Sequence, residues 1–274
     1  MKTALPKILP LLLAASISFT AHAQQSFIQK WQARATASQA AQPHWVTPLA
    51  TTTPRLEQEF RSDFDRQITA MHTTTWNYGG GKGLELIPAR RIELLFNVPP
   101  YLQHNSAAHD GFGDTTLLIK FRIFARNEQQ GNAILTAFFG GSIPTGSYKN
   151  GSEEAVLHPT LAGGKGFGRF DVQSTLGANL PVANSDKLGR SIAWNTALQY
   201  HAGRAFFPEV EFNTTFYKGG PHNGNVQNFI TPGLVGRWKI HARLGITLGA
   251  GMQLATSAYH SYDHGLILSA RMPF

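Results

Sequence analysis

The chain has 274 residues, and its 24 lysines and arginines exceed its 16 aspartates and glutamates, giving a formal net charge of +8. The absence of cysteine excludes disulfides, thiolate metal sites and a cysteine nucleophile. Hydrophobic residues make up 42% of the chain against 15% charged residues, a balance that argues against disorder. The basic residues are spread along the chain, so we expect no nucleic-acid partner.

The first residues predict export. Two lysines, Lys2 and Lys7, precede a short apolar run over residues 8–19, and the tripeptide AHA ends at Ala23. This layout is typical of a cleaved secretory signal peptide, and the run is too short to span a bilayer as a helix. We therefore expect residues 1–23 to be a signal peptide.

The next segment, residues 24–52, is rich in Ala, Gln and Thr and shows no apolar period. Nothing in its pattern predicts a regular element. We expect a flexible or lumen-filling N-terminal extension, followed by one large β domain over residues 53–274.

From about Thr53 onward the dominant period is two. In the run "RFDVQSTLGANL", for example, Phe170 and Leu176 fall on one face and Asp171 and Gln173 on the other. Such runs predict strands near residues 56–66, 91–98, 114–125, 133–143, 155–164, 169–181, 191–201, 207–217, 226–239, 243–255 and 263–274. A closed antiparallel barrel of this type needs an even count, so we expect one more strand within residues 68–88 or before residue 54.

Soluble β-sandwiches also alternate, but two features favour a membrane barrel. One face of these runs is almost purely Leu, Ile, Val, Phe and Ala, and many runs reach about ten residues, the length of a tilted bilayer crossing. Short connections also alternate with longer ones rich in Gly, Pro, Asn and His. The predicted fold is all-β, a transmembrane antiparallel up-and-down β-barrel of about 12 strands in the outer membrane of a Gram-negative-type cell.

The last run predicts a lipid-facing strand that also acts as a barrel assembly signal. Its apolar face consists of Leu266, Leu268, Ala270, Met272 and Phe274. Alternating apolar residues before a final aromatic resemble the signal that the outer-membrane assembly machinery recognises. We expect that machinery and the outer-membrane lipid to be partners of the chain.

Short motifs in this barrel region resemble a known family. A Gly-Asp opens a strand that ends in a basic-aromatic run, and these residues are Gly113, Asp114, Lys120, Phe121 and Arg122. A Pro-Thr-Gly at residues 144–146, a glycine-rich turn "GKGFGRF", a Pro-Gly at residues 232–233 and a terminal aromatic follow. Over about residues 53–274 the chain resembles the outer-membrane β-barrel family known as the MetA pathway of phenol degradation, which is transporter-like. The resemblance implies an outer-membrane barrel that passes hydrophobic or aromatic compounds, and it supplies no catalytic residues.

Several stretches imitate catalytic or metal sites without the context that such sites need. The glycine-rich runs at residues 78–83 and 163–168 are not followed by a predicted helix, so turns explain them better than nucleotide binding. No G-x-S-x-G is present, so the usual hydrolase elbow is missing. Two histidine-carboxylate clusters match no defined metal spacing and fall in predicted loops: His104, His109, Asp110 and Asp114, and His260, Asp263 and His264.

Charged residues on the predicted inner face are the better site candidates. They are Glu93, Lys120, Arg122, Asp171, Glu209 and Glu211. Opposite charges around a narrow lumen could form a selectivity ring for solutes. Alternatively they could form a structural network that cross-braces and closes the lumen.

The sequence therefore predicts a non-enzymatic outer-membrane channel for passive passage of small aromatic or hydrophobic compounds, without cofactor or metal. A structural or surface-binding barrel without transport is the alternative, and a lipid-acting barrel enzyme is a third.

Overall fold

A computed structural model of the protein describes residues 27–80 and 82–274. The predicted signal peptide, residues 1–23, lies outside the described residues, as do residues 24–26. The description begins with a helix, α1, over residues 27–40. The chain then runs through an irregular segment, residues 41–58, which we call the plug segment, before the first strand begins at Glu59.

Fifteen strands and one short helix follow α1. The strands are β1 (Glu59–Ile68), β2 (Thr74–Gly79), β3 (Gly83–Ala89), β4 (Ile92–Asn97), β5 (Tyr101–His104), β6 (Gly111–Phe112), β7 (Thr115–Arg126), β8 (Ala133–Ile143), β9 (Val156–Phe167), β10 (Phe170–Pro181), β11 (Arg190–Tyr200), β12 (Phe206–Lys218), β13 (Val226–Lys239), β14 (Gly245–Ala255) and β15 (His264–Pro273). Helix α2 (Ser185–Leu188) lies between β10 and β11. All strand pairings are antiparallel.

The sheet closes on itself because β15 pairs with β1 along its whole length, from Glu59 opposite Pro273 to Ile68 opposite His264. Closure leaves no unpaired edge at this junction, which a wall in contact with lipid requires. The ring runs β1, β3, β4 and then β7 to β15 in order. The predicted transmembrane antiparallel barrel of about 12 strands is confirmed.

Three strands of the ring are broken in two, which explains why the start of the barrel is hard to read in the sequence. The strand β2 continues β3, β5 continues β4, and β6 continues β7, with the outer pieces pairing in the order β1, β2, β5, β6. The breaks fall at glycines and prolines, and the Cα of Pro100 lies 3.8 Å from the position of a Cβ on Gly79. Together β2 and β3 form one interrupted strand opposite β1, and this is the twelfth strand expected within residues 68–88.

The outer wall is apolar and the inner wall is polar, as the alternation predicts. On β10, Phe170 and Leu176 are 58% and 55% exposed, whereas Asp171, Gln173 and Thr175 between them are buried. On β15, Leu268 and Met272 are exposed and Ser269 and Arg271 are buried. An apolar band on the outside of a closed barrel is the surface that hydrocarbon requires.

The two ends of the barrel differ. Short turns at residues 127–132, 168–169, 201–205 and 240–244 close one end, which we call the turn end. The connections at the other end, the loop end, are generally longer and include residues 105–110, 144–155 and 256–263.

Among the described residues, no helix is long and apolar enough to cross a membrane.

Candidate functional site

The candidate site is the barrel lumen, and the plug segment occupies the part of the lumen from the turn end to the middle of the barrel. Helix α1 lies at the turn end, where the Ser38 hydroxyl donates to the carbonyl of Arg90 at 2.8 Å. Ala35 packs there with Leu56 and Ile87. From Gln42 to Gln58 almost every residue is buried. A segment without secondary structure leaves its backbone N–H and C=O groups unpaired, so the inner wall has to supply partners for them.

Glu209 and Glu211 on β12 accept hydrogen bonds from the plug backbone. The Glu209 carboxylate accepts from the amide of Leu49 at 2.9 Å. The Glu211 carboxylate accepts from the amides of Ala50 at 2.7 Å and Thr51 at 2.5 Å. Hydrogen bonds to charged groups contribute about 1.5–3 kcal/mol each, so these two side chains are strong anchors for residues 49–51.

Two arginines on neighbouring strands hold the carbonyl groups of the same turn of the plug. Arg271 donates from Nη2 to the carbonyl of Pro48 at 2.8 Å, and Arg61 donates from Nη2 to the carbonyl of Leu49 at 2.6 Å. Arg61 is also paired with Asp63 at 2.6 Å. The charged inner wall therefore satisfies both the donors and the acceptors of the plug backbone.

Glu93 and Lys120 are the two predicted lumen residues that the structure brings together. The Lys120 ammonium lies 2.9 Å from the Glu93 carboxylate, and both side chains are almost completely buried. The second Glu93 oxygen accepts from the amide of Glu57 at 2.5 Å, and Lys120 donates to the carbonyl of Arg55 at 3.3 Å. This pair holds the last part of the plug segment.

Arg122 and Asp171 lie nearer the turn end. Arg122 donates to the carbonyls of Ser38 at 2.7 Å and Arg90 at 2.6 Å, which ties the end of α1 to the wall. Asp171 lies 2.7 Å from His201 and accepts from Gln173 at 3.0 Å. The six predicted lumen residues therefore do not form one ring; most of them contact the N-terminal segment.

Outside the membrane-spanning strands, the plug is tethered by His44. Its amide donates to the Glu128 carboxylate at 2.6 Å, and its ring Nδ1 lies 2.8 Å from the second carboxylate oxygen. Burial alone would raise the pKa of Glu128, but the hydrogen bonds from His44 outweigh it and hold that pKa below its usual value. Glu128 is therefore ionised at neutral pH and keeps the tether.

Apolar contacts also fit the plug to the wall. Val46 and Leu49 pack with Phe207, Val235 and Ile267. Three inward-facing glycines make room for Leu49: a Cβ added at Gly233, Gly249 or Gly251 would lie 2.5, 2.5 or 2.6 Å from a Leu49 methyl. The glycines on the polar face of β13 and β14 thus form a notch for one plug side chain.

Cavities lie at the loop end of the barrel and around the plug, and neighbouring cavities share lining residues. The mouth cavity at the loop end, about 620 Å³, shares Asn179 with an upper cavity of about 210 Å³. The upper cavity shares Thr52 and Leu118 with a central cavity of about 100 Å³. The central cavity shares Thr47 with a lower cavity of about 190 Å³ near the turn end. In this order the cavities run from the loop end towards the turn end, a series that we call the route, and the smallest of them is lined by plug residues Thr47, Thr52 and Thr53.

The histidine clusters lie at the loop end and make ordinary polar contacts. His104 contacts Asn150 at 2.8 Å, and His260 contacts Asp263 at 2.8 Å. A hydrogen bond involving the Ser257 carbonyl, and after it the Asp263 contact, raise the pKa of His260. In residues 27–80 and 82–274 no group of three or more histidines and carboxylates has a geometry that could hold a metal ion.

The sequence pointed to the polar inner face but not to what that face binds. Gln173, Arg61 and Arg271 contact the plug as directly as the predicted residues do, with Gln173 donating to the carbonyl of Val46 at 2.9 Å. Their positions on the inward face of their strands were the available signal. No pattern within residues 41–58 predicts that this segment binds the polar side chains of the inner wall.

Comparison with known proteins agrees with this architecture. A sequence profile of the family described as "Putative MetA-pathway of phenol degradation" matches residues 48–260, more than half of the chain. No curated protein matches the chain significantly.

Two solved structures share the fold. The COG4313 outer membrane channel from Pseudomonas putida F1 is 16% identical, with a TM-score of 0.59 over 84% of this chain and 100% of that one. The NanC porin is 7% identical, with a TM-score of 0.50 over 78% of this chain and 98% of that one. At these identities the likeness concerns the fold of the barrel.

Proposed function

The chain belongs to the MetA-pathway of phenol degradation family, and from that premise we propose that it is an outer-membrane channel for passive diffusion of small solutes. In the outer membrane the turn end would face the periplasm and the loop end would face the outside, because outer-membrane barrels have short periplasmic turns and longer outer loops. Neither the family nor the two structures of similar fold are described as enzymes.

The observation that carries the proposal is the route, a series of neighbouring cavities that follow one another inside a closed barrel from the loop end towards the turn end. A barrel whose only role was structural would gain nothing from such a route. The route narrows where the plug segment crosses it, at Thr47, Thr52 and Thr53. Solutes larger than a few water molecules therefore pass only when the plug moves, which makes the plug segment the gate of the channel.

The inner wall also bears on the class of solute. Side chains along the central cavity include Arg61, Glu85 and Lys120, so a wholly apolar solute would gain little there. Small aromatic compounds that carry a polar or charged group fit this lining better. The proposal thus keeps aromatic solutes and adds the requirement of a polar group.

Export and assembly belong to the same proposal. Cleavage after Ala23 would deliver the chain to the periplasm, and the apolar face of β15 that ends in Phe274 would be recognised by the outer-membrane assembly machinery. The exposed Leu268 and Met272 support a lipid-facing strand. The role of β15 as an assembly signal stays a prediction.

One observation favours the alternative of a barrel without transport. Most of the plug is buried, and many of its backbone groups are hydrogen-bonded to the wall, as they would be in a permanently closed, structural barrel. In that case the loops at the loop end would carry the function, by contact with a surface partner.

Ion conductance in planar bilayers separates the two functions. The variant E209Q/E211Q removes the charges that hold the amides of residues 49–51. A loss of about 1.5 kcal/mol of plug binding would increase the displaced population roughly tenfold, so we expect higher conductance than in the native protein.

The matched control is D186N, which changes an exposed carboxylate in α2 at the loop end and should conduct like the native protein. Slower migration after heating in detergent gels would show that each variant is folded. Zero conductance from both the native protein and folded E209Q/E211Q would overturn the channel in favour of the barrel without transport.

A further inference from the structure

The mouth cavity has features of a ligand site that the lumen network does not require. Its volume is about 620 Å³, within the usual range for small-molecule sites. It lies between the loop of residues 144–155, helix α2 and the loop-end parts of β10, β11 and β12. Through Asn179 it adjoins the upper cavity, so a molecule bound there stands at the start of the route.

The charges that line the mouth cavity are mainly positive. Lys149 and Arg190 line it, and Glu153 is the carboxylate among its lining residues. The Glu153 carboxylate already pairs with Lys187 at 2.9 Å, and Lys187 is not part of the lining. The lining therefore carries two cations against one carboxylate that is already paired, and this excess of positive charge favours an anion from solution.

The guanidinium of Arg190 and the backbone of Lys149 are held in place. Arg190 donates to the Ser185 hydroxyl at 2.7 Å and keeps further N–H groups for a ligand. Lys149 follows Tyr148 with both backbones in the left-handed region, at φ angles of 67° and 52°. Two consecutive non-glycine residues in that region cost free energy, and such a backbone persists where its surroundings fix it. Here the amide of Asn150 bonds the carbonyl of Ser147 at 2.9 Å.

The rest of the lining is suited to a flat apolar body. Tyr217 lines the cavity and is packed edge-on against His222, with ring centroids 5.6 Å apart. Val156, Pro181 and Leu188 add aliphatic surface. A carboxylate can thus meet the cations while an attached ring meets Tyr217 and the aliphatic side chains.

We propose that the mouth cavity is a binding site for small aromatic carboxylates. Lys149 and Arg190 bind the carboxylate, and Tyr217 contacts the ring. As a step in transport this site rests on the proposed channel function, since it would load anionic solutes at the start of the route. Binding itself requires only the cavity.

Ligand titration of the full chain in detergent tests the site, with benzoate as the probe and benzyl alcohol as its neutral counterpart. We expect benzoate to bind at least tenfold more tightly than benzyl alcohol. The variant K149Q/R190Q should weaken benzoate binding tenfold or more and leave benzyl alcohol binding unchanged. The charge-retaining variant K149R/R190K should restore most of the benzoate affinity.

The matched control is R204Q/K239Q, which removes the same number of exposed cations at the turn end and should bind benzoate like the native protein. Absence of benzoate binding to the native protein, or equal benzoate affinity in K149Q/R190Q and the control, would overturn the site. Because this titration does not depend on conductance, its failure is distinguishable from failure of the channel. If K149Q/R190Q does not fold, K149R/R190K and competition between benzoate and chloride decide the same question.

Discussion

At the scale of single residues, Leu49 shows how closely the plug segment fits the wall. Its side chain is 1% exposed, and it fills the notch of Gly233, Gly249 and Gly251. A Cβ at any of these glycines would lie 2.5–2.6 Å from a Leu49 methyl carbon, about 1 Å inside the optimal carbon–carbon separation of about 3.5–4.0 Å. Glycine is therefore the residue that fits at these three positions of the wall, because the Leu49 side chain occupies the space that a larger residue would need.

Substituting Gly251 by valine should therefore displace the plug. Overpacking of this kind costs about 1–3 kcal/mol, and here the plug can relieve the cost by leaving the notch. We expect limited proteolysis to cut G251V within residues 41–58 faster than the native protein, and conductance to rise. Plug cleavage and conductance at native levels would contradict the proposed fit.

The matched control for this variant is G163V. Gly163 lies on β9, where an added Cβ would make ordinary contacts at 3.5 Å and would not meet the plug. Its proteolysis pattern should match that of the native protein.

The inner-face residues could be predicted individually, but their contacts could not. Strict alternation places Lys120, Asp171 and Glu211 on the polar face, and all three are buried inside the barrel. Alternation predicts which side of the wall a residue faces, but it does not predict which residues lie across the lumen from it. The hydrogen bonds of Glu211 to Ala50 and Thr51 join residues about 160 positions apart, which no local pattern encodes.

At the scale of elements, the sequence predicts the long regular strands, and of the interrupted strands it predicts only the pieces β4 and β7. The strands from β8 to β15 follow the predicted segments to within a few residues because they alternate without a break. The strands β2 to β6 are short, since glycines and the pair Pro99-Pro100 interrupt them. Prolines cannot donate to a sheet ladder, so the period disappears there although the wall continues.

Helix α1 is not predicted by the residue pattern of its segment. Trp31, Ala35, Ser38 and Gln42 are spaced three or four apart, and the last three are buried against the rest of the chain. This spacing is helical, but only two of the four are large or clearly apolar, so the hydrophobic period is weak. The helix depends on hydrogen bonds from Ser38 and to it from Arg122, which become visible only in the folded molecule.

Asp114 shows how one residue positions a loop element. Its carboxylate accepts from the amide of Gly146 at 2.9 Å and from the amide and hydroxyl of Ser152, both at 2.7 Å. Burial would raise the pKa of Asp114, but the hydrogen bonds from Ser152 and Gly146 outweigh it and lower the pKa. The ionised Asp114 carboxylate therefore contributes to folding stability at pH values above its pKa in the unfolded chain, about 3.9. This contribution is lost as the pH falls through its lower pKa in the folded protein.

The variant D114N should loosen the loop of residues 144–155. An amide forms weaker hydrogen bonds than a carboxylate, so we expect hydrogen exchange at the amides of Gly146 and Ser152 to accelerate roughly tenfold at neutral pH. The control D186N changes an exposed carboxylate in α2 and should leave that exchange unchanged. Equal exchange rates in D114N and the native protein would show that Asp114 does not hold the loop.

At the scale of the whole molecule, the plug and the barrel are built for each other. The inner wall presents carboxylates to the amides of residues 49–51 of the plug and guanidinium groups to the carbonyls of Pro48 and Leu49. A buried backbone group without a partner costs about 1–3 kcal/mol, so moving the plug requires these contacts to be exchanged for water. Such a network can hold a gate closed and still release it, since water that enters the lumen offers equivalent hydrogen bonds.

Locking the plug tests the central claim most directly. The chain has no cysteine, so L49C/G251C can be joined by a short bifunctional thiol reagent with a cleavable disulfide, and the single variants serve as controls. We predict that conductance in planar bilayers falls when the two positions are linked and returns when the link is reduced, while L49C and G251C alone do not respond. Equal conductance in the linked and the reduced protein would contradict the claim that solutes pass only when residues 41–58 move.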